Sequence, residues 1–146
     1  MENNKMKLEF IGISSNESFA RVAVAAFMTQ LNPTLEEVSD VKTAVSEAVT
    51  NSIIHGYEKE IGIISIECEI DSTSFLITIK DEGCGIEDIK KAMQPMFTTK
   101  PEEERSGMGF SFMEAFMDEV NVESKIGIGT TIFMKKIIGK ESEYEE

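Results

Sequence analysis

The stretch from Ile64 to Gly85, ISIECEIDSTSFLITIKDEGCG, decides how the chain is read. Ile64, Ile66, Cys68 and Ile70 alternate with polar residues, the period of a strand with one buried face. Asp71-Ser72-Thr73 reads as a turn, and Phe75, Ile77 and Ile79 repeat the alternation up to Lys80. A hairpin is therefore predicted here. Asp81-Glu82-Gly83-Cys84-Gly85 then breaks the pattern. A carboxylate at a strand end can accept a hydrogen bond from an exocyclic amine, and the glycines permit close backbone approach to a ligand. Asp and Gly also form ordinary β-turns, so by itself the segment fits either reading.

Upstream, a helix is predicted from about Leu35 to Ile54, with an apolar stripe of Val38, Val41, Val45, Ala48, Val49 and Ser52 and a stop at His55-Gly56. Before it, Leu8 to Ile13 reads as a short strand. Ser14, Ser15 and Asn16 offer caps for a helix running to about Gln30, with Phe19, Val22, Ala23, Ala26 and Phe27 as its apolar stripe. Arg21 falls opposite that stripe. Downstream, Ile89 to Met93 reads as a short helix and Phe97 to Ser106 as a loop. Gly107-Met108-Gly109 opens a helix from about Phe110 to Met117. Val120 to Ser124 and Thr130 to Ile137 read as paired strands, with Gly127-Ile128-Gly129 in the turn. The order implies an α+β two-layer sandwich, a mostly antiparallel mixed sheet with helices on one face.

The 146 residues fit one domain, 1–146, with an acidic and flexible tail over about 141–146. A formal net charge of −13 repels phosphate backbones, so direct binding to nucleic acid is not expected. No apolar run approaches the ~20 residues of a membrane helix. Met1 to Glu9 is polar and lacks the apolar core of a secretory signal, so a cytoplasmic location is expected. Cys68 and Cys84 form neither a metal pattern nor a CxxC pair, and Cys68 reads as core packing.

Glu47 and Asn51 stand four apart on the second predicted helix, so they share a face, one that points away from the apolar stripe. A carboxylate there could take a proton from a hydroxyl or from water. A neutral amide oxygen suits Mg²⁺ that keeps waters and phosphate oxygens. A solvated polar face would look the same. Gly107-Met108-Gly109-Phe110 at a helix start could approach an anion, or serve only as a hinge. Thr130-Thr131 after Gly129 could offer hydroxyls, though Thr is also a good strand former.

In order, E-x-x-x-N on a helix, D-x-G-x-G after a strand, G-x-G-F at a helix start and G-T-T before a strand resemble the N, G1, G2 and G3 boxes of the GHKL ATPases. That superfamily takes its name from gyrase, heat-shock-90, histidine kinases and MutL. The resemblance spans roughly Glu47 to Thr131. It implies ATP and Mg²⁺ as cofactors, with Asp81 reading adenine, Asn51 holding the metal and Glu47 acting as general base. It implies further nucleotide contacts from Gly83, Gly85 and Ile86, from Thr98, Thr99, Lys100 and Arg105 in a lid over about Met96 to Ser106, from Gly107, Met108, Gly109 and Phe110, and from Thr130. No G-x-x-x-x-G-K-[ST] is present, in keeping with a fold other than the P-loop.

Ser46 to Asn51, Ile54 to Glu58, Pro95 to Phe110 (PMFTTKPEEERSGMGF) and Phe116 to Val120 closely resemble the anti-sigma F factors of endospore-forming bacteria. That resemblance implies a homodimer that sequesters sigma factor F and phosphorylates a serine of an anti-anti-sigma partner, with Arg21 in partner contact. The alternatives are a nucleotide-gated binding module, or a kinase serving another sigma factor such as one of a stress response.

Overall fold

The computed structural model describes residues 3–56, 62–83 and 109–139. In chain order it runs β1 (Asn4–Ile11), α1 (Ser14–Met28), a 3₁₀ turn (Thr29–Leu31), α2 (Leu35–Asn51), a π-helical turn (Ser52–Gly56), β2 (Ile63–Asp71), β3 (Ser74–Asp81), α3 (Gly109–Phe116), β4 (Glu119–Lys125) and β5 (Gly129–Ile137). The strands make one sheet in the order β1-β2-β3-β5-β4. The α+β architecture is as expected. The mixed sheet is not: among the described residues every neighbouring pair is antiparallel. Two of the pairings, β2–β3 and β4–β5, close through short turns, which only antiparallel neighbours allow.

The hairpin that decided the reading is the middle of the sheet. Ile64, Ile66, Cys68 and Ile70 face the helices, as do Phe75, Ile77 and Ile79, and all are buried. In register, Ile66 lies opposite Ile79, Cys68 opposite Ile77 and Ile70 opposite Phe75. Each large apolar side chain so buried contributes roughly 1.5–3 kcal/mol. Burial pushes the Cys68 thiol up to about 12, so it remains protonated and serves as packing. Above the sheet, α2 packs between α1 and α3. Val41, Val45, Ala48 and Val49 of the predicted stripe are fully buried, Ala44 is buried beside them, and Val38 is only partly buried.

The stripe predicted for α1 is corrected. The buried residues are Glu17, Ala20, Val24 and Met28, whereas Phe19 and Val22 are 54% and 55% exposed. Residues 19–28 are apolar apart from Arg21, so several faces satisfy helical spacing and the partner helix selects among them. Only Phe27 of the expected set reaches the core in earnest, its ring 6.3 Å from that of Phe75. Boundaries also move. The first strand begins at Asn4 rather than Leu8, because Met6, Leu8 and Phe10 continue the inward alternation between Lys5, Lys7 and Glu9. The second helix ends at Asn51 and widens into the π-helical turn.

Two polar devices lock the ends of the helices. Glu37 donates its N–H to Thr34 Oγ1 (3.1 Å) and accepts at Oε1 from the Thr34 N–H (2.8 Å), a capping box at the start of α2. Its Oε2 also accepts from the Gly139 N–H at 2.9 Å, tying down the chain beyond β5. Glu37→Ala removes the cap and that acceptor together, at a cost of about 2 kcal/mol. A melting temperature lowered by roughly 6 °C is expected by circular dichroism, with Thr34→Ala giving about half of that. At the other end, Lys136 Nζ stands 2.6 Å from the Phe116 carbonyl oxygen and 3.1 Å from Asp40 Oδ2. A cation on the last turn of α3 is favoured by the helix dipole, and here it also bridges α3 to α2.

Candidate functional site

The C-terminal end of β3, the end of α2 and the start of β5 meet at Asp81. Its carboxylate is buried at 4% exposure. Oδ1 accepts from the Gly83 N–H (2.9 Å), so D-x-G forms an Asx turn. Oδ2 accepts from Ser52 Oγ (2.8 Å), the first residue after α2. Thr130 lies opposite Asp81 in register, is buried, and its Oγ1 is 2.8 Å from Ser124 Oγ. β5 comes this close because Gly129 has no side chain. It sits at φ +139°, and a Cβ there would overlap the Asp81 carbonyl oxygen and lie 2.8 Å from the Glu82 Cα.

Burial raises the pKa of Asp81, and the hydrogen bonds from Gly83, Ser52 and the Thr130 backbone oppose that rise without cancelling it. A carboxyl whose folded pKa exceeds its unfolded one favours folding only at low pH. That contribution is complete below the unfolded pKa and is lost as pH rises through the folded value. Ionised Asp81 therefore costs stability at neutral pH. Asp81→Asn is expected to keep or raise the melting temperature at pH 7, with an advantage over the parent chain that shrinks as pH falls through the raised pKa. Parallel melts across that range check it.

Glu47 and Asn51 are both half-buried, on one face of α2 and about 6 Å apart along its axis. Asn51 is the last residue of the helix and precedes the Ser52 that holds Asp81. Glu47 opens on a cleft of about 400 Å³ between α1 and α2, shared with Arg21, Ser39, Lys42, Thr43 and Ser46. Arg21 is not the outward, solvated residue that its predicted position implied. It is half-buried, and its Nη1 lies 3.9 Å from Glu17 Oε1. The difference follows from the corrected buried face of α1, which turns Arg21 toward α2. The Ser46 hydroxyl donates to the buried Glu17 carboxylate, directly beside Glu47.

The structure thus brings together Asp81, Gly83, Thr130 and the end of the helix that carries Glu47 and Asn51. Gly109 opens α3, and Phe110 is buried in the core. Gly85, Ile86, Thr98, Thr99, Lys100, Arg105, Gly107 and Met108 lie outside the described residues, as do Cys84, the helix expected at Ile89 to Met93, the lid and the acidic tail. Sequence reasoning missed Ser52 as the partner of Asp81, and Glu17 and Ser46 as a pair. Ser52 carried a signal: a hydroxyl in an apolar stripe needs a buried partner.

The donor set suits a nucleotide. The two Asp81 carboxylate oxygens offer about four acceptor positions, and three are taken by Gly83, Ser52 and the Thr130 backbone. Room is left to accept from an amine. Among the described residues no three His, Cys, Asp or Glu cluster to hold a metal by themselves. A cation at Asn51 would take its other ligands from phosphate oxygens and water, the habit of Mg²⁺. No described helix is long and apolar enough to cross a membrane.

Residues 15–136 match the family model of the histidine kinase-like ATPase domain. The chain is 63% identical over 137 residues to the anti-sigma F factor of Clostridium novyi, covering 93% of this chain and 96% of that one. It is 64% identical over 137 residues to the anti-sigma F factor of Clostridium botulinum, with the same coverage, and 61% identical over 138 residues to that of a Thermoanaerobacter species, covering 94% and 96%. Among solved structures, the RsbU and RsbW domains of a Mycobacterium tuberculosis protein align with a TM-score of 0.68 at 15% identity, over 92% of this chain and 32% of that one. A blue-light activated histidine kinase of Erythrobacter litoralis aligns at 0.61 and 17%, over 84% and 42%. These two likenesses concern the fold, and the chain spans less than half the length of either.

Proposed function

This chain belongs to the anti-sigma F factors, a family built on the histidine kinase-like ATPase domain, and on that premise we propose that it is an ATP-dependent protein serine kinase that also binds and inhibits sigma factor F. Its acceptor is a serine of an anti-anti-sigma protein, it works as a cytoplasmic homodimer, and its output is control of sporulation transcription. The observation that carries the reading is the junction at Asp81, where a buried carboxylate with spare acceptor capacity is bonded through Ser52 to the end of the helix bearing Glu47 and Asn51.

Asp81 accepts from the adenine amino group, with Gly83 and Thr130 at its side. Asn51 offers its amide oxygen to Mg²⁺. Bound ATP supplies the phosphoryl group that is transferred. Glu47 receives the proton of the acceptor serine hydroxyl in the cleft, and Arg21 at the same cleft contacts the protein partner. Backbone N–H groups at the start of α3 favour negative charge nearby. The lid residues Thr98, Thr99, Lys100 and Arg105, with Gly85, Ile86, Gly107, Met108, Gly109 and Phe110, complete the nucleotide contacts in this reading. The exposed Phe19 and Val22 on α1 give a homodimer apolar surface to bury. A chain of net charge −13 is suited to a protein partner rather than to DNA.

The test mixes purified protein, γ-labelled ATP, Mg²⁺ and the anti-anti-sigma protein. Acid-stable label on the partner is the expected result. No label, with ATP still bound, would instead favour a nucleotide-gated binding module. Asp81→Asn gives a second check. An amide can offer its oxygen either to Gly83 N–H or to adenine while its NH₂ faces the other donor, so one contact is lost in either orientation. ATP affinity is expected to fall by at least about 10-fold, in a protein that is no less stable without nucleotide.

A further inference from the structure

The α1–α2 contact holds a buried acidic group that the nucleotide site does not use. Glu17, in the first turn of α1, is 8% exposed. Its Oε1 accepts from Ser46 Oγ and faces Arg21 Nη1 at 3.9 Å, and its Oε2 accepts from Ser18 Oγ at 3.3 Å. Ser46 is itself 8% exposed and immediately precedes Glu47. Burying a carboxylate is unfavourable unless it is bonded and paired, so its presence in a helix–helix contact calls for a reason. A packed Leu or Ala would join the two helices at less cost.

We propose that Glu17 is a positioning residue for phosphoryl transfer: through Ser46 it fixes the turn of α2 that carries Glu47, and it holds the Arg21 guanidinium at the mouth of the same cleft. The inference rests on Glu47 acting as the base. A base works only within hydrogen-bond reach of the proton it takes, and a displacement of about 1 Å can cost 10²-fold. Serine is a poor residue for the interior of a helix unless its hydroxyl is engaged elsewhere. Here the hydroxyl is engaged across to α1, so the rotation of that turn about the helix axis is set from outside the helix. The same carboxylate restrains Arg21, so the residue that meets the partner and the residue that takes the proton share one anchor.

The experiment measures kcat and KM for labelling of the anti-anti-sigma protein, with nucleotide affinity and thermal melting recorded for every variant. Ser46→Ala is expected to lower kcat about 10-fold while ATP affinity is retained. Glu17→Ala is expected to lower kcat at least as much and to raise KM for the protein substrate, because Arg21 is released as well. Glu17→Gln keeps an oxygen for Ser46 and is expected to recover most of the kcat but not the KM. In the Glu17→Ala background, Ser46→Ala should lower kcat no further, since the two act as one unit. Ser46→Ala that folds, binds ATP and labels its partner at the parent rate overturns the proposal, as does full additivity of the two changes. A Glu47→Gln variant that still labels at the parent rate overturns the base assignment instead, so the two failures are told apart.

Discussion

Glu47→Gln should label the anti-anti-sigma protein 10²- to 10⁴-fold more slowly than the parent chain, the usual contribution of a positioned general base. The change is nearly isosteric and removes the proton acceptor while keeping a polar group of the same reach. Glu47 is half-buried and opens on the cleft, and it lies a helical turn before Asn51 rather than at Asp81 itself. ATP affinity is therefore expected to stay within about threefold, and the melting temperature within a few degrees, as for substitutions outside the packed core. Single-turnover labelling with saturating ATP isolates the chemical step. Undiminished transfer would remove Glu47 as base. Loss of ATP binding in step with transfer would make Glu47 a structural part of the nucleotide site.

Gly129→Ala should be the most damaging single-methyl change at the site. The position combines φ +139° with a would-be Cβ that overlaps the Asp81 carbonyl oxygen and crowds the Glu82 Cα. Both obstacles are backbone, so no side chain can swing aside. Either the start of β5 lifts off β3, opening the Asp81–Thr130 and Lys80–Thr131 pairings, or the end of β3 shifts and takes Asp81 away from Ser52. Overpacking and a strained φ each cost about 1–3 kcal/mol, so a loss of about 3–5 kcal/mol is expected. That is a large share of the ~5–15 kcal/mol by which a domain is stable. Gly127→Ala is the control. It too has a positive φ, +78°, but a Cβ there meets nothing within 4 Å. It should cost only about 1 kcal/mol and leave nucleotide affinity unchanged. Chemical denaturation and nucleotide titration of the pair separate strain from collision. Equal effects from the two glycines would show that the close approach at Asp81 is unimportant.

Much of this was legible in the residues. The hairpin at Ile64 to Ile79 alternates strictly, and a one-residue slip would expose its whole apolar face, so its register was readable. The α2 stripe was readable because polar residues border it on both sides. The α1 stripe was not, because Phe19 to Met28 is apolar nearly all round and only its neighbours decide which side is covered. Asp81, Glu47 and Asn51 were legible as motif positions. Their common junction through Ser52 was not, since it joins residues 29 apart by a side-chain hydrogen bond. Glu17 was missed for a plainer reason. A charge near a helix start is expected to face water and the helix dipole, and nothing local marks one that turns inward. The β2–β3 and β4–β5 pairings were legible as hairpins, but the pairing of β1 with β2 and of β3 with β5 was not, because strand patterns give the face of each strand and not its neighbour.

The sheet order sets a constraint on how the chain reaches its structure. β1 pairs with β2, Asn4 opposite Ile70 and Ile11 opposite Ile63, with both long helices in between. That edge cannot close until the strand ending at Asp71 exists, so during synthesis β1 waits for residues some sixty positions later. Pairings of such long sequence separation carry a high loop-closure cost and slow the folding of β-rich domains. In the interval, Lys5, Lys7 and Glu9 alternate along β1 with Met6, Leu8 and Phe10. Charges at that spacing oppose edge-to-edge association of waiting strands on neighbouring nascent chains, whereas in register with β2 Lys5 and Lys7 lie opposite Glu69 and Glu67.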